Sequence, residues 1–477
     1  MVSTSTPKSL VWCGDGDSLP PEVDVSDPLE RHVPCAADAG FVLLGGPVGN
    51  IGLAQDIVNR RIGKINEIFD LLPSLNDAQI EFALLRDCFS LPKLSYCLRT
   101  CDSFHLLTSY DHFDNLQLST LSLILGRQLD DAARRQAFLA VKLGGTGLRS
   151  AVQHSPAAFI ASTGQTSPIV NSLLPPTVTR RSAERVFPLL QHQTGNAAYT
   201  SFDLLPSDFS QQSLSREVNV HQHRLLSDGS SGRDRARLLS LALPHAGDWI
   251  DAPPSPFLNL NLDSRSYSAA MGYRLGLKLF TPGECRADHC SRLQDDLGDH
   301  ALHCRDDHGM KGGRHDRIRD KIFKEAQLAS LSPTSEMPGL IPGSLSRPAD
   351  IFIPSWIDGK KLAFDVSVVS PTQDAVIHRA ADFPAAAIEM RKAAKNRAHF
   401  DHCRAQGISF MPLVVETFGG WDGDAVKYLK DIGKQCARRW GRNYAEEIKQ
   451  FFQRLSVALQ RGNASMIVER DIEPISL

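Results

Sequence analysis

The sequence predicts an α+β multidomain protein: an N-terminal helical bundle, a small zinc knuckle, and a C-terminal α/β core with a mixed central sheet flanked by helices. Three observations predict it. Apolar residues recur at helical spacing from about Asn50 to Ala140, cysteine and histidine crowd together between Cys285 and His308, and helix and strand patterns alternate thereafter. A chain of 477 residues is also too long for one ordinary core and calls for two to four units.

Residues 1–40 are rich in Pro, Asp, Ser and Gly and predict an irregular lead-in. In 41–162, Ile57, Ile62, Ile65, Ile68, Phe69 and Leu72 mark one face of a helix, and similar stripes follow to Leu125, with Gly144-Gly145 as a stop. Residues 163–280 read as a linker and helical connection. Its part 163–215 carries excess Ser, Thr, Pro and Gln, including Leu174-Pro175-Pro176-Thr177, and predicts a loosely ordered segment. The knuckle occupies 281–308, the α/β core 309–440, and a C-terminal helix 441–477. Within the core, a helix is predicted over His315–Leu331, strands at Ala349–Ile353, Lys361–Val369 and Ile408–Val415, and an Ala-rich helix from near Pro384.

Composition excludes several classes. No run approaches the roughly 20 apolar residues that cross a bilayer, and the first residues lack an apolar signal-peptide core. Ten cysteines in such a chain point to reduced thiols, with metal binding where they meet histidine. The net charge of −2 hides an asymmetry: residues 309–477 hold 25 Lys and Arg against 20 Asp and Glu. A mildly basic C-terminal half suits a polyanion partner.

The segment CRADHCSRLQDDLGDHALHC places Cys285, Cys290, His300 and Cys304 within twenty residues. Zinc takes four soft or borderline donors in a tetrahedron, and four protein ligands make the site structural. Spacing alone leaves the histidine open among His300, His303 and His308.

Asp350 stands at one predicted strand and Asp365 on the next. Alternation puts Leu362, Phe364, Val366 and Val368 on one face, so Asp365 points the other way with Ala363 and Ser367. An acid amid β-branched residues is unusual, and two carboxylates on neighbouring strands are what Mg2+ asks of a protein. The plain alternative is a capping or salt-bridged acid at each position. Downstream, Lys392, Lys395 and His399 share one helical stripe, able to place positive charge against a phosphoryl transition state. Upstream, Arg314, His315 and Arg317 open a basic helix suited to phosphate contact.

Taken in order, the Cys-Cys-His-Cys knuckle, Arg314-His315, the Pro-x-Asp strand, the second acid fifteen positions on and the Lys-x-x-Lys helix resemble one known arrangement. It is the C-terminal region of non-LTR retrotransposon polyproteins that carry a restriction-enzyme-like endonuclease, a branch of the PD-(D/E)XK nucleases. The segments FVLLGGPVG, LLRDCFSLPKLSYCLRTC and LGGTGLRSA also resemble the thumb-like region after that family's reverse-transcriptase palm. The resemblance implies a nickase that hydrolyses a DNA phosphodiester and leaves a 3′-hydroxyl primer. Asp350 and Asp365 would hold Mg2+, Lys392 or Lys395 would stabilise developing charge, and Arg314, His315 and Arg317 would bind nucleic acid. Structural Zn2+ would sit on Cys285, Cys290, His300 and Cys304. It further implies double-stranded DNA as partner, element RNA as a second, no membrane, no small-molecule cofactor, and nuclear residence following from the substrate.

The chain departs from the family in places. One residue is inserted in Pro348-Ala349-Asp350, Val366-Ser367 follows the second acid where a lysine is common, and Glu336-Met337-Pro338 interrupts a Glu-Pro element. The Asp-Asp pairs at 130–131, 295–296 and 306–307 lack the preceding Tyr/Phe-x of a polymerase turn, so no polymerase active site is predicted. The alternatives are a catalytically decayed, zinc-dependent nucleic-acid-binding module and a purely structural helical adaptor.

Overall fold

The computed structural model describes residues 11–12, 32–33, 41–48, 51–173, 177–304, 306, 308–342, 348–357 and 359–470. Apart from the paired Val11–Trp12 and His32–Val33, the predicted lead-in lies outside the described residues, as do 174–176 of the Pro-Pro segment. The fold is α+β, mostly helical, with one four-stranded mixed sheet. No helix among the described residues is long and apolar enough to cross a membrane.

The chain divides into two compact units. The first draws on Met1–Ile68, Phe89–Leu116 and Ser150–Val218. It contains the helix Leu91–Thr100 and most of Ile51–Phe69 and Leu107–Leu125, in the stretch where the sequence predicts a bundle. It also corrects one expectation. Residues 163–215 are not a loose connection: helices Ala151–Leu173 and Thr177–Thr194 fill most of the stretch, and Gln211–Asp228 begins within it. The reason is a sparse apolar stripe, in which Ala183, Val186, Phe187 and Leu190 close on Phe159 and Ile160 in a shared core. Pro156, Pro168 and Pro188 lie inside these helices, so the high Pro and Ser content conceals the pattern without abolishing it.

The second unit comprises Phe69–Cys88, Gln117–Arg149 and Asn219–Leu477. Its sheet is built from β1 (Thr334–Ser335), β2 (Ile351–Ile353), β3 (Lys361–Val369) and β4 (Ile408–Glu416), in the order β4-β3-β2-β1. The β1–β2 and β2–β3 pairs are antiparallel; β3 and β4 run parallel, with Asp365 beside Pro412. A parallel pair needs a crossover, and the helix α2 (Ala386–Ala405) lies in it. The other labelled helices are α1 (Met310–Leu328), α3 (Gly423–Trp440) and α4 (Tyr444–Val468). The helix α1 starts five residues earlier than predicted, behind Gly309 at φ 80°.

The period-two reading of β3 holds. Leu362, Phe364 and Val366 enter a core with Ile318 and Ile322 of α1, Leu429 and Ile432 of α3, and Phe451 and Leu455 of α4. Ala363 faces the opposite side, with Phe352, Cys403 and Phe410. Asp365 therefore emerges on the α2 side of the sheet, and the C-terminal helix predicted over 441–477 belongs to the same core as the strands.

Candidate functional site

The Cys/His cluster is assembled by local hydrogen bonds. Gly283–Glu284 and Leu293–Gln294 form a short antiparallel ribbon that carries Cys285. The Asp295 carboxylate then accepts the N–H groups of Leu297, Asp299 and His300 at 2.8, 3.0 and 2.5 Å, which starts the short helix Asp299–His303. Gly298 precedes it at φ 89°, a left-handed conformation that favours glycine. The side chains of Cys285, Cys290, His300 and Cys304 end within 4.8 Å of one another. Cys285 Sγ and Cys304 Sγ are 3.8 Å apart, and Cys290 Sγ is 3.5 Å from His300 Nε2. Bonds of about 2.3 Å to sulfur and 2.0 Å to nitrogen give a tetrahedron with edges of about 3.8 and 3.5 Å. This Cys3His cluster can bind a metal such as zinc.

Of the three histidines left open by spacing, His300 is the one that joins the thiols. Burial, with Arg470 nearby, holds its imidazole below the ordinary value and therefore neutral, the form that ligates. Arg470, at the end of α4, donates to the Asp306 carbonyl at 3.0 Å and lies 3.9 Å from Cys285 Sγ.

The two acids converge. Asp350 directly precedes β2, with its N–H on the Phe364 carbonyl at 2.9 Å, and Asp350 Oδ2 accepts the Val366 N–H at 2.7 Å. From β3, the Asp365 carboxyl comes close enough to that of Asp350 for each to shift the other's ionisation. Asp365 is 6 % exposed. Burial raises it to about 6, against the pull of Lys395 and aided by the charge of Asp350. Burial alone would raise Asp350 too, but His315, the Val366 N–H and Asp365 hold it below the usual carboxylate value.

The two lysines part company. Lys395 Nζ reaches Asp365 at 2.8 Å. Lys392 Nζ instead meets Asp424 at 3.0 Å, Asp422 at 3.3 Å and Glu389 at 3.6 Å. One helical turn separates them, yet only Lys395 stands at the paired acids. His399, on the same predicted stripe, packs its ring against Phe410, and Phe400 is largely exposed.

The Arg-His pair also takes other places than expected. Arg314 is 4 % exposed and donates to Asn463 Oδ1 at 2.8 Å, against α4. A guanidinium so enclosed does not reach a DNA backbone, and the phosphate-contact expectation for it is corrected to a packing role. His315 Nε2 lies 3.2 Å from Asp350 Oδ2 and 3.1 Å from the Val366 carbonyl. The hydrogen bond to Asp350 raises its imidazole to about 9, against burial. His315 is thus charged and turned toward the acids. Arg317 is exposed on α1; its charge is felt by Arg461 of α4, whose own charge bears on Lys321.

Several partners were not legible in the sequence: Arg461, the acids around Lys392, and the contact of His315 with Asp350. One signal was available, since Asp422 precedes Gly-Asp-Ala as a helix cap would and does accept the N–H groups of Asp424 and Ala425. Glu336 is engaged by Arg319 at 2.6 Å. Of the Asp-Asp pairs, Asp130 caps a short helix and Asp295 accepts the first N–H groups of another. Compared with protein-family models and with curated proteins, the sequence matches none.

Proposed function

We propose that this chain is the endonuclease-bearing C-terminal region of a non-LTR retroelement polyprotein, and that it nicks DNA in a Mg2+-dependent reaction. The observation that carries the reading is the approach of Asp350, just before β2, to Asp365 of β3, with Lys395 on Asp365. Two carboxylates are the hard oxygen donors that Mg2+ takes from a protein. When bound there, the cation supplies neutralising charge to the scissile phosphate and a lowered pKa to water.

In the hydrolysis a water oxygen bonds to phosphorus, the P–O3′ bond breaks, and the 3′ oxygen takes up a proton. A 3′-hydroxyl and a 5′-phosphate result. Lys395 places its ammonium against the charge that develops on the phosphoryl group, a contact worth roughly 10²- to 10³-fold in rate. His315 holds Asp350 in place through a charge-assisted hydrogen bond. Arg317, Lys321 and Arg461 offer a basic surface for the DNA backbone, and the Cys3His cluster, carrying Zn2+, orients the nuclease on duplex or element RNA.

A second reading is favoured by one observation. His315 and Lys395 already neutralise the two acids, an arrangement that also suits a catalytically decayed, zinc-dependent nucleic-acid-binding module. Nicking of supercoiled plasmid with Mg2+ separates the two. The nuclease reading expects relaxation by the wild-type chain and none by an Asp350→Ala, Asp365→Ala double variant. Equal activity of the two proteins removes the catalytic assignment, and absence of nicking with zinc-dependent gel-shift binding establishes the binding module.

A further inference from the structure

A second group of potential ligands lies in the core of the same unit, away from both sites above. Glu325 of α1, Cys436 of α3 and Glu447 of α4 present one ligand atom each, all within 4.8 Å. They are 3, 0 and 2 % exposed. Their approach is built into the packing. A Cβ on Gly433 would lie 3.2 Å from Ile448 Cγ1, so α3 and α4 close on one another one turn before Cys436. At the other end, Trp440 Nε1 donates to the Leu328 carbonyl at 3.0 Å and pins α3 to α1.

The two carboxylates are oriented from outside. Arg454 Nη2 donates to Glu325 Oε2 at 2.8 Å and approaches Glu447 Oε1 at 3.4 Å, while Arg442 Nη1 takes Glu447 Oε2 at 2.9 Å. That leaves Glu325 Oε1 buried and without a hydrogen-bond partner among the described residues, beside a thiol. An orphaned carboxylate oxygen in a core is costly, and outer partners that fix ligand carboxylates are the usual surroundings of a protein-bound metal.

We propose that Glu325, Cys436 and Glu447 form a further metal site, which takes a borderline divalent transition cation such as Zn2+ and fastens α4 to α1 and α3. Mixed carboxylate and thiolate donors select such an ion over Mg2+ or Ca2+. Bonds of about 2.0–2.3 Å set such donors about 3.3–3.8 Å apart, so the three, already within 4.8 Å, need to draw together by at most about 1.5 Å.

The test is a metal count on the full chain, expressed with added zinc and dialysed exhaustively into buffer containing Mg2+, so that a carboxylate-only site retains no zinc. Plasma mass spectrometry should find two zinc ions per wild-type chain, one in Cys436→Ser, and one in Cys290→Ser. Glu325→Gln keeps the side-chain shape and the contact with Arg454, and should also fall to one with its fold intact by circular dichroism. One ion in the wild type, lost in Cys290→Ser, overturns the proposal. So does a count of two that survives both Cys436→Ser and Glu325→Gln.

Discussion

Lys392 and Lys395 show how far residue-level chemistry depends on a neighbour that sequence spacing does not reveal. Both lie on one helical stripe, but Lys392 is held by Asp422, Asp424 and Glu389, and Lys395 by Asp365. Lys395→Ala should therefore lower the single-turnover nicking rate by about 10²-fold or more, whereas Lys392→Ala should change it by less than about 10-fold; the two rates measured side by side check this. A second residue-scale outcome concerns pH. Burial, opposed by Ser240, raises the Glu416 carboxyl to about 7. Its folded value lies above an unfolded value of about 4.3, so the folded state holds the extra proton between the two. Its stabilising effect is present below pH 4 and is lost as pH rises through 7. Glu416→Gln keeps a hydrogen-bonding partner for Ser240 and removes the titration. Chemical denaturation at pH 5 and pH 8 should show the wild type losing about 3 kcal/mol more than the variant.

At the scale of elements, regular patterns were legible and polar ones were not. The alternation in Lys361–Val369 gave the strand and the face of Asp365, because one side of β3 enters a continuous apolar core. The helices over 163–215 escaped, because their buried stripe is short and interrupted by Pro, Ser and Gln. The cysteine spacing located the Cys/His cluster but not its histidine, which depends on the turn that Asp295 starts. Helix packing explains why Arg314 left the surface: α4 passes it at Gly462, where an added Cβ would lie 2.7 Å from Arg314 Cγ and 3.0 Å from its Cβ. Gly462→Ala should cost about 1–3 kcal/mol through overpacking, read as a lowered midpoint in urea denaturation.

At the scale of the molecule, the cluster and the sheet belong to one unit. Asp299, inside the Cys/His segment, accepts Arg233 at 2.6 Å, Tyr273 at 3.0 Å and Thr372 at 2.8 Å. Thr372 follows the strand that carries Asp365. Asp299→Ala should cost about 3 kcal/mol, because it leaves a mostly buried Arg233 short of its main partner. Thermal unfolding checks this.

The proposed nuclease depends above all on Asp350 and Asp365 sharing a divalent ion. Calorimetric titration of the zinc-loaded chain with Mn2+ tests that directly. We predict a binding event in the wild type that is absent from the Asp350→Ala, Asp365→Ala variant over the same concentrations. Identical binding isotherms for the two proteins would contradict the account.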